Sequence, residues 1–415
     1  MVRRLGRGLV LGGSLCVATF SFNACSVSST SAPATDGGMT TTNPDSGAVI
    51  NPSDGSTPGD DGATKSALGF TPSNIDLSGI DLTKVGDFVV DNDACTINSE
   101  NNLASCGDGA GVLGFKLATQ DDGTKVAVYV ARTMNVLAGR NLTVEGHNPV
   151  VFVALDTITI TGTFNGNARD DVGIAGGPSQ MTPRAKGAGA GGGGGGAGPG
   201  AAGAGGSYCG VGGAGASETG TPSMGGATYG SDAITPLVGG STGGSGEGAG
   251  AGSGGGALQL VAGKSITIDA SGLVHVGAGG GGFGGIGGQD ASGGGSGGSI
   301  LLESLAVSVA GTLAANGGGG GGGSANGVPG GQNAFGNATP AAGGAAPAPG
   351  GAGSAGAIVK GSDGTFTAGG GSAGGGGGGG AGRIRINTKL GQATVTGTLS
   401  PSAATTCATQ GTVKP

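Results

Sequence analysis

The residues best equipped for chemistry in this chain are six cysteines, two histidines and a thin scatter of carboxylates and arginines. Cys16 falls inside an apolar leader and Cys25 directly follows it, leaving Cys95, Cys106, Cys209 and Cys407 as an even set. In an oxidising compartment such a set pairs as two disulfides. Cys95 and Cys106 are close enough in sequence to staple one loop, leaving Cys209 with Cys407 as a long-range tie, but spacing alone leaves the connectivity open. Metal binding would draw on the same residue types. No C-x-x-C spacing occurs and only His147 and His275 could join, so no metal site is expected. Polysaccharide cleavage would need clustered carboxylates and aromatic sugar platforms. Asp121-Asp122 and Asp170-Asp171 sit beside turn signals, Glu303 stands alone, and Arg383 and Arg385 alternate outward on one strand without an acidic cluster. Neither a catalytic residue nor a cofactor is expected. Gly-x-Gly-x-x-Gly patterns recur, but with 107 glycines in 415 residues they arise by chance, and none leads into Lys-Ser/Thr at a strand-to-helix turn.

The N-terminus has the order of a secretory signal: Arg3, Arg4 and Arg7, an apolar run from Leu9 to Phe20, then Phe22-Asn23-Ala24-Cys25. The run is too short to span a bilayer as a helix. A cysteine right after a small residue at this place resembles the lipobox of bacterial lipoproteins, although Phe22 and Asn23 depart from its usual residues. The resemblance implies cleavage after Ala24, lipidation of Cys25 and, with Ser26 next, an outer-membrane and surface-exposed location. Residues 25–68 hold Ser, Thr, Pro, Gly, Asp and Asn with few apolar side chains, so they read as a disordered, lipid-anchored linker. The formal net charge is −7, and loss of the leader arginines makes it more negative. Nucleic acid is therefore excluded as a partner; the membrane is reached through the lipid.

The body is marked by a repeat. Val150–Ala154, Ala257–Val261, Ser299–Glu303 and Arg383–Asn387 each place apolar residues at their second and fourth positions, as a strand with one buried face does. Each is followed by a second alternating run such as Ile158-Thr159-Ile160 or Ile266-Thr267-Ile268. Leu258 and Ile300 are 42 positions apart, Ile300 and Ile384 twice that. A fixed period points to stacked units. The expected fold is all-β: a right-handed parallel β-helix or solenoid over 149–415, with Thr159, Thr267, Ser308 and Thr394 in one outward ladder over Ile158, Ile266, Val307 and Ala393. Residues 69–148 are expected to supply an N-terminal cap and opening rung. The tracts Gly191–Gly196, Gly317–Gly323 and Gly374–Gly380 then become long loops, either mobile or ordered as polyglycine helices.

Val-Ala-Leu-Asp-Thr-Ile-Thr-Ile-Thr-Gly-Thr (153–163), Gly-Gly-Ser-Ile-Leu-Leu-Glu (297–303) and Gly-Ala-Gly-Arg-Ile-Arg-Ile-Asn-Thr (380–388) resemble phrases of the glycine-rich lipoproteins of myxobacteria. The resemblance implies an envelope location and a pectin-lyase-like repeat body, and carries over no catalytic residue. The expected function is a non-enzymatic structural or adhesive surface lipoprotein, contacting polysaccharide or another cell surface. The competing expectation is a carbohydrate-binding or carbohydrate-active protein, to be preferred if Tyr208 and Tyr229 line a groove beside Asp170 and Asp171.

Overall fold

The computed structural model describes residues 67–415 apart from 94, 102–103, 107–112, 171, 199, 219, 248–249, 285–289, 324–329, 346 and 369–372. The signal, Cys25 and nearly all of the expected linker lie outside the described residues.

The described chain is β-rich and builds two large sheets and a two-stranded antiparallel ribbon, Phe366–Thr367 with Ala373–Gly374. The larger has eleven strands, with a path from Phe88–Val90 through Met134–Val136, Thr157–Ile160, Ala257–Ile268, Ser299–Val309 and Arg383–Thr388 to Ala408–Thr412. Val150–Ala154 pairs with the first half of Ala257–Ile268 and Thr157–Ile160 with its second half, either side of a register shift between Ala262 and Ser265. The smaller sheet has seven strands and includes Asn141–Glu145, Thr163–Asn165, Leu273–His275, Thr312–Ala314 and Thr398–Ser400. Between the sheets lies one apolar core in which Phe152 meets Phe88, Tyr129 and Phe164 at centroid distances of 5.2, 5.6 and 6.2 Å. Thr159, Thr267, Ser308 and Thr394 do stand in one row, since each pairs with the next. Ile158, Ile266 and Val307 are buried behind them.

The first repeat segment is one residue out of the expected alignment. Leu258 pairs with Val150, not Val151. Val150–Ala154 is apolar at every position, so alternation could not set its register, and a slip of one residue turns each side chain over. The choice is settled by what covers each face. Val151 and Val153 turn away from the inter-sheet core and are buried with Val126, Val128, Val261 and Leu301 beneath Leu68, Phe70 and Leu77. The segment over residues 68–85 thus lies across the second face of the larger sheet, where an end cap was expected. It is fastened by Glu303, which is 1% exposed and accepts hydrogen bonds from the Ser73 amide (2.8 Å), Ser73 Oγ (2.8 Å), Gln259 Nε2 (2.7 Å) and Asn387 Nδ2 (3.1 Å).

The glycine-rich stretches are not loops. Along residues 375–382 the amides of Gly375, Gly378 and Ala381 donate to Thr365, Ser362 and Val359, those of Gly376, Gly379 and Gly382 to Gly321, Gly318 and Ala315, and those of Gly377 and Gly380 to Gly203 and Gly206, all at 2.8–3.0 Å. Residues 291–298 repeat the scheme: every third amide returns to the same neighbour, with 291, 294 and 297 bonded to 374, 377 and 380. A chain whose amides turn through three neighbours in three residues is an extended threefold helix without internal hydrogen bonds. Here the neighbouring runs supply the bonds, so the backbone is satisfied without sheet or α-helix. Ala291, Ser292, Ser296 and Ala381 are accommodated in these runs, but at the closest approaches only glycine fits. A Cβ on Gly203, Gly298 or Gly379 would fall onto the carbonyl oxygen of Gly244, Gly256 or Gly295.

The expected all-β solenoid is corrected accordingly. The strands do not close into a single right-handed parallel β-helix. Gly114–Thr119 runs antiparallel to Lys125–Ala131 and Ala104–Ser105 antiparallel to Cys95–Asn98, so both sheets are mixed, and among the described residues neither closes on itself. The long glycine segments form a backbone lattice of their own beside the sheets. The physical reason is the missing side chain: chains that approach this closely bond to one another instead of hanging in solvent. Two disulfides brace the assembly, Cys95–Cys106 across the first hairpin and Cys209–Cys407 from the lattice to the turn just before the last strand. No helix among the described residues is long and apolar enough to cross a membrane.

Candidate functional site

Where the strands Lys125–Ala131 and Val150–Ala154 begin, the larger sheet meets the glycine lattice, and a groove opens along the seam. It consists of two cavities of about 450 and 320 Å³ that share Gly176, Val238 and Gly239. Thr124, Lys125, His147, Asn148 and Pro149 line one end; Pro178, Gly189, Tyr229, Pro236 and Gly240 line the other. A third cavity of about 430 Å³ lies beyond Pro236, walled by Asn74, Asp76, Gln120, Asp121, Thr235 and Lys414. Asn74 is held there at φ 64° while its Nδ2 donates to Ile234 O and Gln259 Oε1, which leaves its Oδ1 without a partner. Burial tends to raise the Asp76 carboxyl, but hydrogen bonds from Ser78 and Lys116 outweigh it and hold the group below the usual carboxylate range.

Tyr229 is the most constrained side chain of the groove. Its hydroxyl donates to Gly239 O (2.6 Å) and accepts from Ser241 Oγ (2.9 Å), and its ring lies against Tyr208 with centroids 4.5 Å apart and planes at 32°. Tyr208 is fully buried, and the Arg383 guanidinium sits 5.6 Å from its ring centroid. Arg383 also donates to Tyr229 O (3.1 Å) and pairs with Asp232 (2.7 Å). Burial pushes the Tyr208 phenol up to about 12, and burial with the neighbouring Tyr208 pushes Tyr229 higher. Both hydroxyls therefore stay protonated at any physiological pH, fit for hydrogen bonding and unfit for proton transfer. Tyr229 is a fixed aromatic wall with one face covered.

Of the residues singled out by sequence, the structure brings together Tyr208, Tyr229 and Arg383. Asp170 is elsewhere: its amide donates to Asn333 Oδ1 and its carbonyl accepts from Ser253. Asp171 lies outside the described residues. No described Asp or Glu lines the Tyr229 groove, so it holds no carboxylate pair. His147 reaches the groove, whereas His275 lies on the smaller sheet with its Nδ1 enclosed and unpartnered, and burial lowers it to about 4. Among the described residues no group of three His, Cys, Asp or Glu side chains could hold a metal ion.

The Glu303 cluster was missed. Glu303 seemed isolated, yet it pairs in register with Asn387, and Asn387 Oδ1 accepts from Arg385 Nε at 2.7 Å. Laying Ser299–Glu303 over Arg383–Asn387 already puts these residues side by side; treating every odd position as solvent-facing hid the contact. No family profile, curated protein or solved structure matches the chain.

Proposed function

We propose that the protein is a non-enzymatic cell-envelope lipoprotein, anchored through Cys25 and carrying a stiff body for structural or adhesive contact at the outer membrane surface. The observation that carries this reading is the glycine lattice. Each run is bonded to three neighbours, so the body resists bending and offers few free backbone groups to proteases. A low-charge, disulfide-braced body of this kind suits display outside the cell. The test is lipid labelling of the expressed chain, wild type against Cys25→Ser, with membrane fractionation and protease shaving of intact cells. Labelling lost in the variant together with a shaved body supports the reading; equal labelling, or none in either, removes it.

A second reading, binding of an extended polysaccharide, is favoured by Tyr229. Sugar rings stack on aromatic faces, and a ring already fixed by Gly239, Ser241 and Tyr208 loses little freedom on binding. Asn148, His147 and Lys125 would meet the hydroxyls at the far end of the groove. In affinity electrophoresis against envelope polysaccharide, retardation should fall for Tyr229→Ala and persist for Phe335→Ala, an exposed aromatic outside the groove. Equal retardation of both variants sinks this reading.

A further inference from the structure

The cavity beyond Pro236 is built by four segments that are distant in sequence. Its volume is about 430 Å³, and Pro236, which also lines the Tyr229 groove, stands between the two. One wall is the loop that carries Thr235 and Pro236. Gln120 clamps this loop twice at one residue, its Nε2 donating to Leu237 O (3.0 Å) and its Oε1 accepting from the Leu237 amide (2.8 Å). Asn74 Nδ2 donates to Ile234 O at 3.0 Å. Between these anchors Ile234 is kept at φ 54°, a left-handed backbone that a β-branched residue rarely adopts. Strain of this kind persists only where the surroundings over-determine it, and it gathers at ligand-binding sites.

Two charges of opposite sign line the same cavity and are left unpaired. Asp76 is matched by Lys116 at 3.1 Å and by the Ser78 amide at 2.7 Å. Asp121 and Lys414, by contrast, form no ion pair among the described residues, with each other or with any other side chain. Both are carried on fixed backbone. Asp121 sits in the turn closed by the Gln120 amide on Thr124 O (2.8 Å), and Lys414 O accepts from the Thr71 amide (2.9 Å). Ile75, Ala118 and Pro236 supply an apolar wall beside them.

We infer that this cavity is a binding site for a small zwitterion, an α-amino acid with an apolar side chain. The ligand's ammonium pairs with Asp121, its carboxylate pairs with Lys414, and its side chain lies against Ile75, Ala118 and Pro236. A ligand with a positive charge alone would meet Lys414 as a like charge, and one with a negative charge alone would meet Asp121 in the same way. A ligand that carries both signs satisfies both residues. Charge-assisted hydrogen bonds at its two ends fix its orientation, and a preformed wall spares the ordering that binding otherwise costs.

The test is isothermal titration of the full mature chain with Cys25→Ser by leucine, N-acetylleucine and leucinamide, each up to about 10 mM. Leucine should bind at least about tenfold more tightly than either blocked form. Asp121→Asn should erase its advantage over N-acetylleucine and keep that over leucinamide; Lys414→Met should do the reverse. Both side chains are exposed and unpaired, so both variants should keep the wild-type thermal midpoint, which shows that they fold. No binding of leucine over this range, a blocked form that binds as tightly as leucine, or a ranking that neither substitution alters overturns the proposal.

Discussion

Gly203→Ala isolates what the glycine lattice contributes. Gly203 donates to Ala291 O and accepts from Gly377 N at 2.9 and 3.0 Å, and an added Cβ would fall onto the carbonyl oxygen of Gly244. That oxygen is itself the acceptor for Gly293 N at 2.9 Å, so relief of the clash parts a second pair of runs. Overpacking a tight interior costs about 1–3 kcal/mol, and each buried hydrogen bond broken adds about 1 kcal/mol. Alanine returns roughly 0.5–1 kcal/mol by stiffening the unfolded chain. The net expectation is a loss of about 2–3 kcal/mol, which lowers the thermal midpoint by about 3–4 °C for a domain of this size. Gly198→Ala is the control, since nothing lies within 4 Å of its added Cβ, and it should leave stability unchanged or slightly raised. Thermal and urea unfolding of both variants measure the difference. A Gly203→Ala protein as stable as Gly198→Ala would refute the close-packed lattice.

Three further outcomes are expected. Glu303→Gln turns an amide donor toward the Ser73 or Gln259 donors and should cost about 2–4 kcal/mol, with proteolysis beginning in residues 68–85; an unchanged digest counts against the fastening role. Cys209→Ser with Cys407→Ser removes a tie across 198 positions, for which chain entropy assigns about 5 kcal/mol; the double variant should unfold at lower urea, and identical midpoints would contradict that. His275 is held neutral by burial, with a value of about 4 against the ordinary 6.5. The unfolded chain therefore binds the extra proton first, and stability should decline as pH falls from about 6.5 to 4, by at most about 3 kcal/mol, a decline that His275→Asn should reduce.

Much of the strand order was legible because branched apolar residues alternate with Thr and Ser: Ile158, Ile266 and Val307 could face only inward, and the Thr159 row followed. Val150–Ala154 was not legible, because with both faces buried every position is apolar and alternation carries no information. The role of Glu303 was hidden by the same event, the passage of residues 68–85 over a face that looked solvent-exposed. The lattice was hard to read for another reason. A glycine tract has no side-chain pattern, so its partners are set by the strands that carry it into place. The Tyr229 groove depends on Tyr208, Tyr229, Pro149 and Pro178 meeting from distant segments, and no local spacing announces that.

Hydrogen exchange of the glycine amides in the intact protein tests the rigid body most directly. Gly318, Gly321, Gly376, Gly379 and Gly382 each donate to another run of the lattice or to the adjoining chain, so they should exchange as slowly as the core strand Ser299–Val309. Exchange of these amides at the rate of an unfolded chain, while Ser299–Val309 stays protected, would mean that the tracts are loose appendages and would remove the stiff body on which the proposed role depends.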